Sequence, residues 1–372
     1  MSNNAVWKNE FNPAIESSTK GIILYGAGIN AADFIIKYKN MKPALNILCV
    51  VDSDKSKQDD SLLGIPIVTP DSLKEYNNDI SIIVTTQRDC FVITDNLKTL
   101  GFNNIFYVSD YNALMINIVS IRDEYIRNNR ELLDTLLKKN SDKISSVRSC
   151  LKHDDISLAV FEAKLLSSFH GHHSDIEALH VGDMYFPDGI ISLSQDEVFI
   201  DCGGYDGKTT LDFVSRTGIY KGIYVLEPDP WQYEITKWML QENNKIPNCE
   251  IVKLGAYDSN SEVTFSSIEW GSSYINPHGE FKIQTTSLDS LLFDTNHPTF
   301  IKMDIEGAEL NALEGARKII ERDKPKFAIS AYHGLPNTHI WDVPYWIIEN
   351  YPQYKIYLKQ HASINETVLY AV

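Results

Sequence analysis

The 372-residue chain predicts an α/β protein of two parallel-sheet domains joined by a helical connector, and three observations carry that reading. Apolar runs end in glycine turns twice, as "LYGAGINA" at Leu24 to Ala31 and "FIDCGGYDGKTT" at Phe199 to Thr210. Around each turn, strand patterns alternate with helical ones, the order of a parallel sheet with crossovers. Between them, Tyr111 to Phe169 lacks glycine and proline, and apolar residues recur at helical spacing, as at Leu132, Leu133, Leu136 and Leu137.

The first domain, residues 1–110, begins its pattern with the strand "GIILY", the glycine turn, and a helix from about Asn30 to Asn40. The strand "NILCVVD", ending at Asp52, closes a β-α-β unit. "GIPIVT", a helix near Asp71 to Tyr76, "ISIIVTT", a helix near Phe91 to Gly101 and "NNIFYV" complete it. The connector spans 111–185; its last part falls in the segment Gly171 to Ser194, which carries turn signals. In the second domain, 186–372, the strands read "DEVFID", "KGIYVLE", "CEIVKLGAYD", "EVTFSS" with "EFKIQTTSL", "PTFIKMD", "KPKFAIS", "YKIYL" and "ETVLYAV". Only a short loop separates the last two, so a terminal hairpin closes a mainly parallel sheet.

Composition narrows the function classes. A formal net charge of -16 argues against a grip on phosphate backbones, so no nucleic-acid partner is expected. No run approaches the length that crosses a bilayer, and the polar start "MSNNAVWKNE" has no signal-peptide core; the expectation is a cytoplasmic protein. Five scattered cysteines without CxxC spacing suggest neither a disulfide framework nor a thiolate zinc site.

The second turn, D-x-G-G-x-D-G from Asp201 to Gly207, exposes backbone N–H groups through Gly203 and Gly204 at the start of a helix. Glu227 lies 24 residues past Gly203, near the interval that places a carboxylate on ribose hydroxyls. A dinucleotide turn receives a pyrophosphate and is spaced GxGxxG. Here Asp201 and Asp206 would repel pyrophosphate and would suit an ammonium, which S-adenosylmethionine presents beside its ribose. The competing reading is a plain Asx-glycine turn without ligand.

"DCGGYDG", "YVLEPDP", "FIKMDIEGAELNALEGA" and the end "YPQYKIYLKQHASINETVLYAV" together resemble the FkbM family of S-adenosylmethionine-dependent methyltransferases over about Asp196 to Val372. The resemblance implies a Rossmann-like, class I methyltransferase domain: a seven-stranded sheet with its last strand antiparallel and the cofactor across the carboxyl ends of the first strands. It implies O-methylation of sugars or other hydroxylated small molecules. Carried onto this chain, Asp201, Gly203, Gly204, Tyr205, Asp206 and Gly207 form the cofactor loop. Glu227, with Pro228 and Asp229 after it, holds the ribose, and the stretch around Ala256, Tyr257 and Asp258 flanks the adenine. The family's loop more often has alanine or asparagine where this chain has Gly204, a change expected to loosen the turn.

Methyl transfer to a hydroxyl needs the acceptor placed behind the methyl and a group to take the proton. In open α/β sheets that chemistry sits beyond the carboxyl ends of strands. There "FIKMD" supplies Lys302 and Asp304 on one strand face, with Glu306 following; Asp304 is a candidate for cofactor or acceptor contact, and by resemblance the D-x-E-G motif lines the active site. The plainer reading is a structural Lys302–Asp304 pair. His333 ends the next strand, and an ordinary imidazole titrates close enough to neutrality to serve as general base, so the predicted catalytic set is His333, Asp304 and Glu306. Ser272 and Ser273 stay outside that set. "HGHH" at His170 to His173 matches no metal-ligand spacing and reads as a solvated turn, and Asp304 with Glu306 are too few to specify an ion, so no metal is expected. The loop Glu269 to Glu280 and the cleft between domains are expected to shape the acceptor site.

The first turn gives Gly26, Gly28 and Ala31 as GxGxxA, with Asp52 24 residues past Gly28, a possible second nucleotide site. With "GIPIVTPDSL", the segment from about Lys20 to Val108 resembles the Rossmann-like front domains of bacterial sugar acyltransferases, which implies a nucleotide or nucleotide-linked sugar. A docking or dimer module, and with it a homo-oligomer, fits equally. Two other functions stay open: an NAD-dependent oxidoreductase or epimerase using the first turn, whose nearest Tyr-x-x-x-Lys pair is Tyr233 to Lys237, and a non-catalytic nucleotide-binding protein.

Overall fold

A computed structural model describes residues 21–38, 46–58, 60–86, 90–107, 122–268, 272–279, 281–294, 296–334, 336–361 and 365–372. The expected ends of the first helix at Asn40 and of the first domain at Asp110 lie outside the described residues, as does the start of the connector. The chain divides into two compact units, Met1–Val119 and Ser120–Val372. The expectation of a mixed α/β protein with parallel-rich sheets is met.

Among its described residues the first unit holds six strands: β1 (Ile22–Tyr25), β2 (Ile47–Val51), β3 (Ser61–Leu62), β4 (Ile65–Val68), β5 (Ser81–Val84) and β6 (Ile105–Tyr107). They form one sheet in the order β3-β4-β2-β1-β5-β6, parallel apart from the β3–β4 hairpin. Its strands are β-branched runs such as "ILCVV", which suit a pleated surface packed on a core. Ile23, Val51, Ile82, Val84 and Phe102 lie together in that core. A helix, Ile29–Tyr38, leaves the turn after β1.

The second unit is built on a seven-stranded sheet. Its members are β7 (Val198–Cys202), β8 (Gly222–Leu226), β9 (Cys249–Val252), and then, after strands β10 (Gly255–Ala256), β11 (Ser261–Ile268), β12 (Ser272–Ile275) and β13 (Phe281–Thr286), β14 (Phe300–Met303), β15 (Lys326–Ser330), β16 (Ile356–Gln360) and β17 (Thr367–Ala371). The order is β16-β17-β15-β14-β7-β8-β9, with β17 antiparallel to both neighbours and the rest parallel. Every residue of β7, β14 and β17 is buried, as expected of strands covered on both faces. The strand order reverses between β7 and β14, so the carboxyl ends of these two strands flank a switch point.

The strands read as "EVTFSS" and "EFKIQTTSL" do not join this sheet. They form a separate four-stranded one, β10-β13-β11-β12. The helix Asp155–His170 is capped by Asp154, whose carboxylate accepts from Ser157 N, and ends on left-handed Gly171 at φ 77°. It lies on β16, where Leu358 N donates to Ser157 Oγ at 2.9 Å. The HGHH tract at its end is not simply solvated: His173 is tied to Ser167 Oγ at 2.8 Å and to Asp123 Oδ1 at 2.9 Å. No helix among the described residues is long and apolar enough to cross a membrane.

Candidate active site

The second glycine turn forms where β7 stops. Gly203 sits at φ 87°, and a Cβ there would lie 2.0 Å from Asp304 O, so the close approach of the β7 and β14 ends requires glycine. At Gly204 a Cβ would lie 2.4 Å from Val225 Cγ1. The glycine therefore tightens the packing of the turn on β8, the reverse of the expected loosening.

Beneath the turn lies a buried ion pair. Lys302 and Asp201 are direct partners in the β7–β14 register, and Lys302 Nζ is 3.0 Å from Asp201 Oδ1. The ammonium also donates to Gly203 O at 2.6 Å, while Asp201 Oδ2 accepts from Thr210 Oγ1 at 2.8 Å. Burial works against the charge on Lys302, but Asp201 and then Asp304 win and raise its pKa. The partner of Lys302 is thus Asp201 rather than Asp304. Strand alternation placed Lys302 and Asp304 on one face but could not show which cross-strand neighbour was acidic.

This changes the reading of the two loop aspartates as holders of an ammonium ligand. Asp201 is fully buried and occupied from within the fold. Asp206 accepts from Lys208 N at 3.0 Å and pairs with Lys208 Nζ. Asp229 is the N-cap of the helix Pro230–Lys237, accepting from Trp231 N and Gln232 N. Gly207, at φ 77°, precedes the helix Lys208–Thr217, and Tyr205, at φ 49°, is 45% exposed.

Glu227, at the end of β8, joins the two loops. Oε2 accepts from Tyr205 N at 2.8 Å and Oε1 from Asp229 N at 2.9 Å. Burial raises its carboxyl to about 7, against the pull of those two N–H groups. Pro228 lies beside Gly255, which leads into Ala256 and Tyr257; Tyr257 N donates to Thr286 O at 2.9 Å.

Across the switch point, the end of β14 carries Asp304 and Glu306, and the end of β15 carries Tyr332 and His333. Asp304 Oδ2 accepts from Tyr185 Oη at 2.6 Å and Oδ1 from Tyr332 Oη at 3.2 Å. Burial, then the Asp304 charge, hold both phenols well above their ordinary pKa. The backbone turns left-handed at Glu306, φ 53°, and Gly307, φ 100°. Non-glycine residues in that region collect at functional sites. Burial lifts the Glu306 carboxyl to about 7 although His333 pulls it down.

His333 is buried among three carboxylates. Nδ1 is 2.8 Å from Glu309 Oε1, and Nε2 is 3.4 Å from both Asp304 Oδ1 and Glu306 Oε2. Burial disfavours the imidazolium, but the Glu309 charge and hydrogen bond, with Glu306 and Asp304, raise it to about 9. The expectation of an ordinary imidazole half ready to take a proton at neutral pH is therefore corrected: the surrounding carboxylates favour the protonated ring. Glu309 also accepts from Ile305 N at 3.0 Å, and its Oε2 lies 3.1 Å from His339 Nδ1. One donor atom from each of Glu309, His333 and His339 falls within 4.8 Å of the others, a grouping able to hold a metal.

Thus His333, Asp304 and Glu306 come together as expected, beside the turn and Glu227. Tyr185, Tyr332, Glu309 and His339 were not foreseen. Glu309 reads in sequence as a first-turn acid on a helix, and only its position three residues after the Asp304–Glu306 pair hints at more. Of the loop expected to shape the acceptor site, Glu269 to Gly271 and Glu280 lie outside the described residues. A groove of about 1090 Å³ lies instead at the opposite, amino ends of β7, β8 and β9, lined by Val198, Ile223, Cys249 and Thr299.

In the first unit, Gly26 adopts φ 111° and its N–H meets Val51 O at 2.7 Å. Ala27 N donates to Asp52 Oδ2 at 2.7 Å. Lys57 Nζ lies 3.3 Å from the same oxygen, and a Cβ at Gly28 would meet nothing within 4 Å.

Residues 201–365 match the family described as Methyltransferase FkbM domain, and residues 18–105 match one described as C2185-like, N-terminal. The expected likeness of the first domain to sugar acyltransferases is not what the comparison returns. A crystal structure of methyltransferase FkbM from Methylobacillus flagellatus KT is similar over 94% of this chain and 89% of its own, with 22% identity and a TM-score of 0.55, which establishes a shared fold. An rRNA methylase from Streptococcus thermophilus aligns over 48% of this chain and 87% of its own, at 15% identity and a TM-score of 0.30. Aeropyrum pernix fibrillarin with natively bound S-adenosyl-L-methionine aligns over 50% and 70%, at 13% and 0.32. The last two fall below the similarity that establishes a common fold. No curated protein sequence matches the chain. Within the second unit, residues 201–365 are thus similar to a methyltransferase domain.

Proposed function

We propose that this chain is an S-adenosylmethionine-dependent methyltransferase acting on a hydroxyl of a small acceptor, such as a sugar, nucleotide-sugar or glycan precursor. The observation that carries the reading is a juxtaposition at the carboxyl ends of β7, β8, β14 and β15. On one side stands a glycine turn tied to Glu227, on the other the cluster of Asp304, Glu306 and His333. The match of residues 201–365 to a methyltransferase domain supports it.

The residues present fit the cofactor at its ribose. Each Glu227 oxygen takes one backbone N–H, and a carboxylate oxygen can accept about two hydrogen bonds, so both retain capacity for a hydroxyl. They fit less well at the amino-acid end, because Asp201 and Asp206 are engaged by Lys302, Thr210 and Lys208. When bound, the cofactor supplies a methyl already activated on a sulfonium. The protein's own part is to orient the acceptor and take its proton. Both ring nitrogens of His333 face carboxylate oxygens, so the ring acts as a donor that positions Asp304 and Glu306, and these carboxylates receive the hydroxyl proton. The Tyr185 and Tyr332 hydroxyls fix Asp304 from two sides.

The test is a screen of methyl transfer from labelled cofactor to a panel of nucleotide-sugars and glycans, with mass detection of product. Transfer to a hydroxyl, slowed at least about a hundredfold in Asp304→Asn with cofactor affinity kept, is expected. Binding of NADH without any methylated product would overturn the reading.

A further inference from the structure

Three side chains beside this cluster come from separate elements: Glu309 from the helix Glu309–Glu314, His333 from the loop after β15, and His339 from the start of the helix His339–Asn350. Their side chains are 0%, 5% and 13% exposed. Such burial of a carboxylate and two imidazoles calls for full pairing. Glu309 Oε2 and His339 Nδ1 lie 3.1 Å apart, an ion pair only when the ring is protonated, and neither buried atom has an aligned hydrogen-bond partner among the described residues. A nitrogen and an oxygen at that separation are spaced as neighbouring ligands of one ion with bonds of about 2.0–2.2 Å.

The rest of the arrangement agrees. Glu309 uses Oε1 for the Ile305 N–H and for His333 Nδ1 at 2.8 Å, which leaves Oε2 turned toward His339. On the far side of the His333 ring, Nε2 has no aligned hydrogen-bond partner but faces Asp304 and Glu306 at 3.4 Å. Histidines bound to metal through one nitrogen characteristically direct the other at a carboxylate.

We propose that Glu309, His333 through Nδ1 and His339 through Nδ1 form a binding site for a first-row divalent transition-metal ion, which on binding takes the place of the proton His333 Nδ1 shares with Glu309 Oε1 in the metal-free chain, with Asp304 and Glu306 as the outer carboxylates on His333 Nε2. Two imidazoles and one carboxylate select an ion such as Zn²⁺, Fe²⁺ or Mn²⁺ over Mg²⁺ or Ca²⁺, which take oxygen ligands. Three protein ligands leave a position for water or an acceptor oxygen. The ion would also fix the ring that positions Asp304 and Glu306. The site stands on its own geometry and does not depend on methyl transfer being the activity.

The full chain, stripped with chelator, is titrated with Co²⁺ and followed by visible absorption and calorimetry. One equivalent with d–d bands is expected, and His339→Ala should weaken it by at least about a hundredfold. His172→Ala, at the exposed histidine of the HGHH tract, should leave it unchanged. Nitrogen coupling from two imidazoles in the Cu²⁺ electron paramagnetic resonance spectrum of the wild-type chain tests the ligand set even if the variant does not fold. Absence of stoichiometric uptake, uptake unchanged in folded His339→Ala, uptake lost in His172→Ala, or a spectrum without nitrogen coupling would each overturn the site.

Discussion

The two glycine turns share one device and differ in what surrounds it. In each, a strand ends on a left-handed glycine, and an acid closing the next strand accepts a backbone N–H of the turn: Ala27 to Asp52 at 2.7 Å in the first unit, Tyr205 to Glu227 at 2.8 Å in the second. Around the first turn, Asp52 pairs with half-exposed Lys57, and the neighbouring strand β5 leads to Thr85, whose hydroxyl donates to Tyr25 O and Gly26 O. Around the second, Glu227 is 6% exposed, a buried Lys302–Asp201 pair props the turn, and the neighbouring strand β14 leads to Asp304 and Glu306. A glycine turn with an acid about 20 residues on is thus a way of locking two loops together. What can react is set by the strand across the switch point.

The sharpest way to break this contrast is to remove the prop. Lys302→Met leaves Asp201 as a buried, unpaired carboxylate and should cost the second unit about 3–5 kcal/mol, read as a lowered thermal transition in calorimetry. A loss under about 1 kcal/mol would mean the pair does not hold the turn. Next in size, Gly203→Ala forces a Cβ against Asp304 O at a left-handed φ and should destabilise by about 1–3 kcal/mol, whereas Gly28→Ala, with open space around it, should stay within about 0.5 kcal/mol. Equal effects at the two glycines in denaturant melts would erase the distinction between the turns.

Glu227 offers a pH test. If only its carboxylate accepts ribose hydroxyls, a group held at about 7 should strengthen S-adenosylhomocysteine binding about tenfold from roughly pH 6 to pH 8, and Glu227→Gln should flatten that profile. The same raised value acts on stability in a fixed direction. Its contribution is fully present below the ordinary 4.5 and is lost as pH rises through about 7, so melts of Glu227→Gln should show a shallower decline over that window. The smallest effect is expected at the first turn, where Lys57→Ala removes a partly exposed ion pair and should change stability by less than about 1 kcal/mol.

Alternation of apolar runs with helical stretches made the two parallel sheets legible, because period and turn residues are local properties of a sequence. The meeting of Asp304, Glu306 and His333 was legible for the same reason, since strand ends in a parallel sheet converge. What was not legible depended on pairing between distant residues. Lys302 chose Asp201, 101 positions away, over the acid two positions on, and that choice followed from the β7–β14 register. Tyr185 reaches Asp304 from a turn-rich segment 119 residues earlier. His333 departs from an ordinary imidazole because Glu309, which reads as a surface acid, is fully buried beside it.

The central claim is that the second turn, and not the first, holds the adenosyl cofactor. Calorimetric titration of S-adenosylhomocysteine into the wild-type chain, Glu227→Ala and Asp52→Ala tests it directly. One site in the wild type, weakened at least about tenfold in Glu227→Ala and kept in Asp52→Ala, is the expected result. Loss of binding in Asp52→Ala with Glu227→Ala unaffected, or no binding to the wild-type chain, would contradict it.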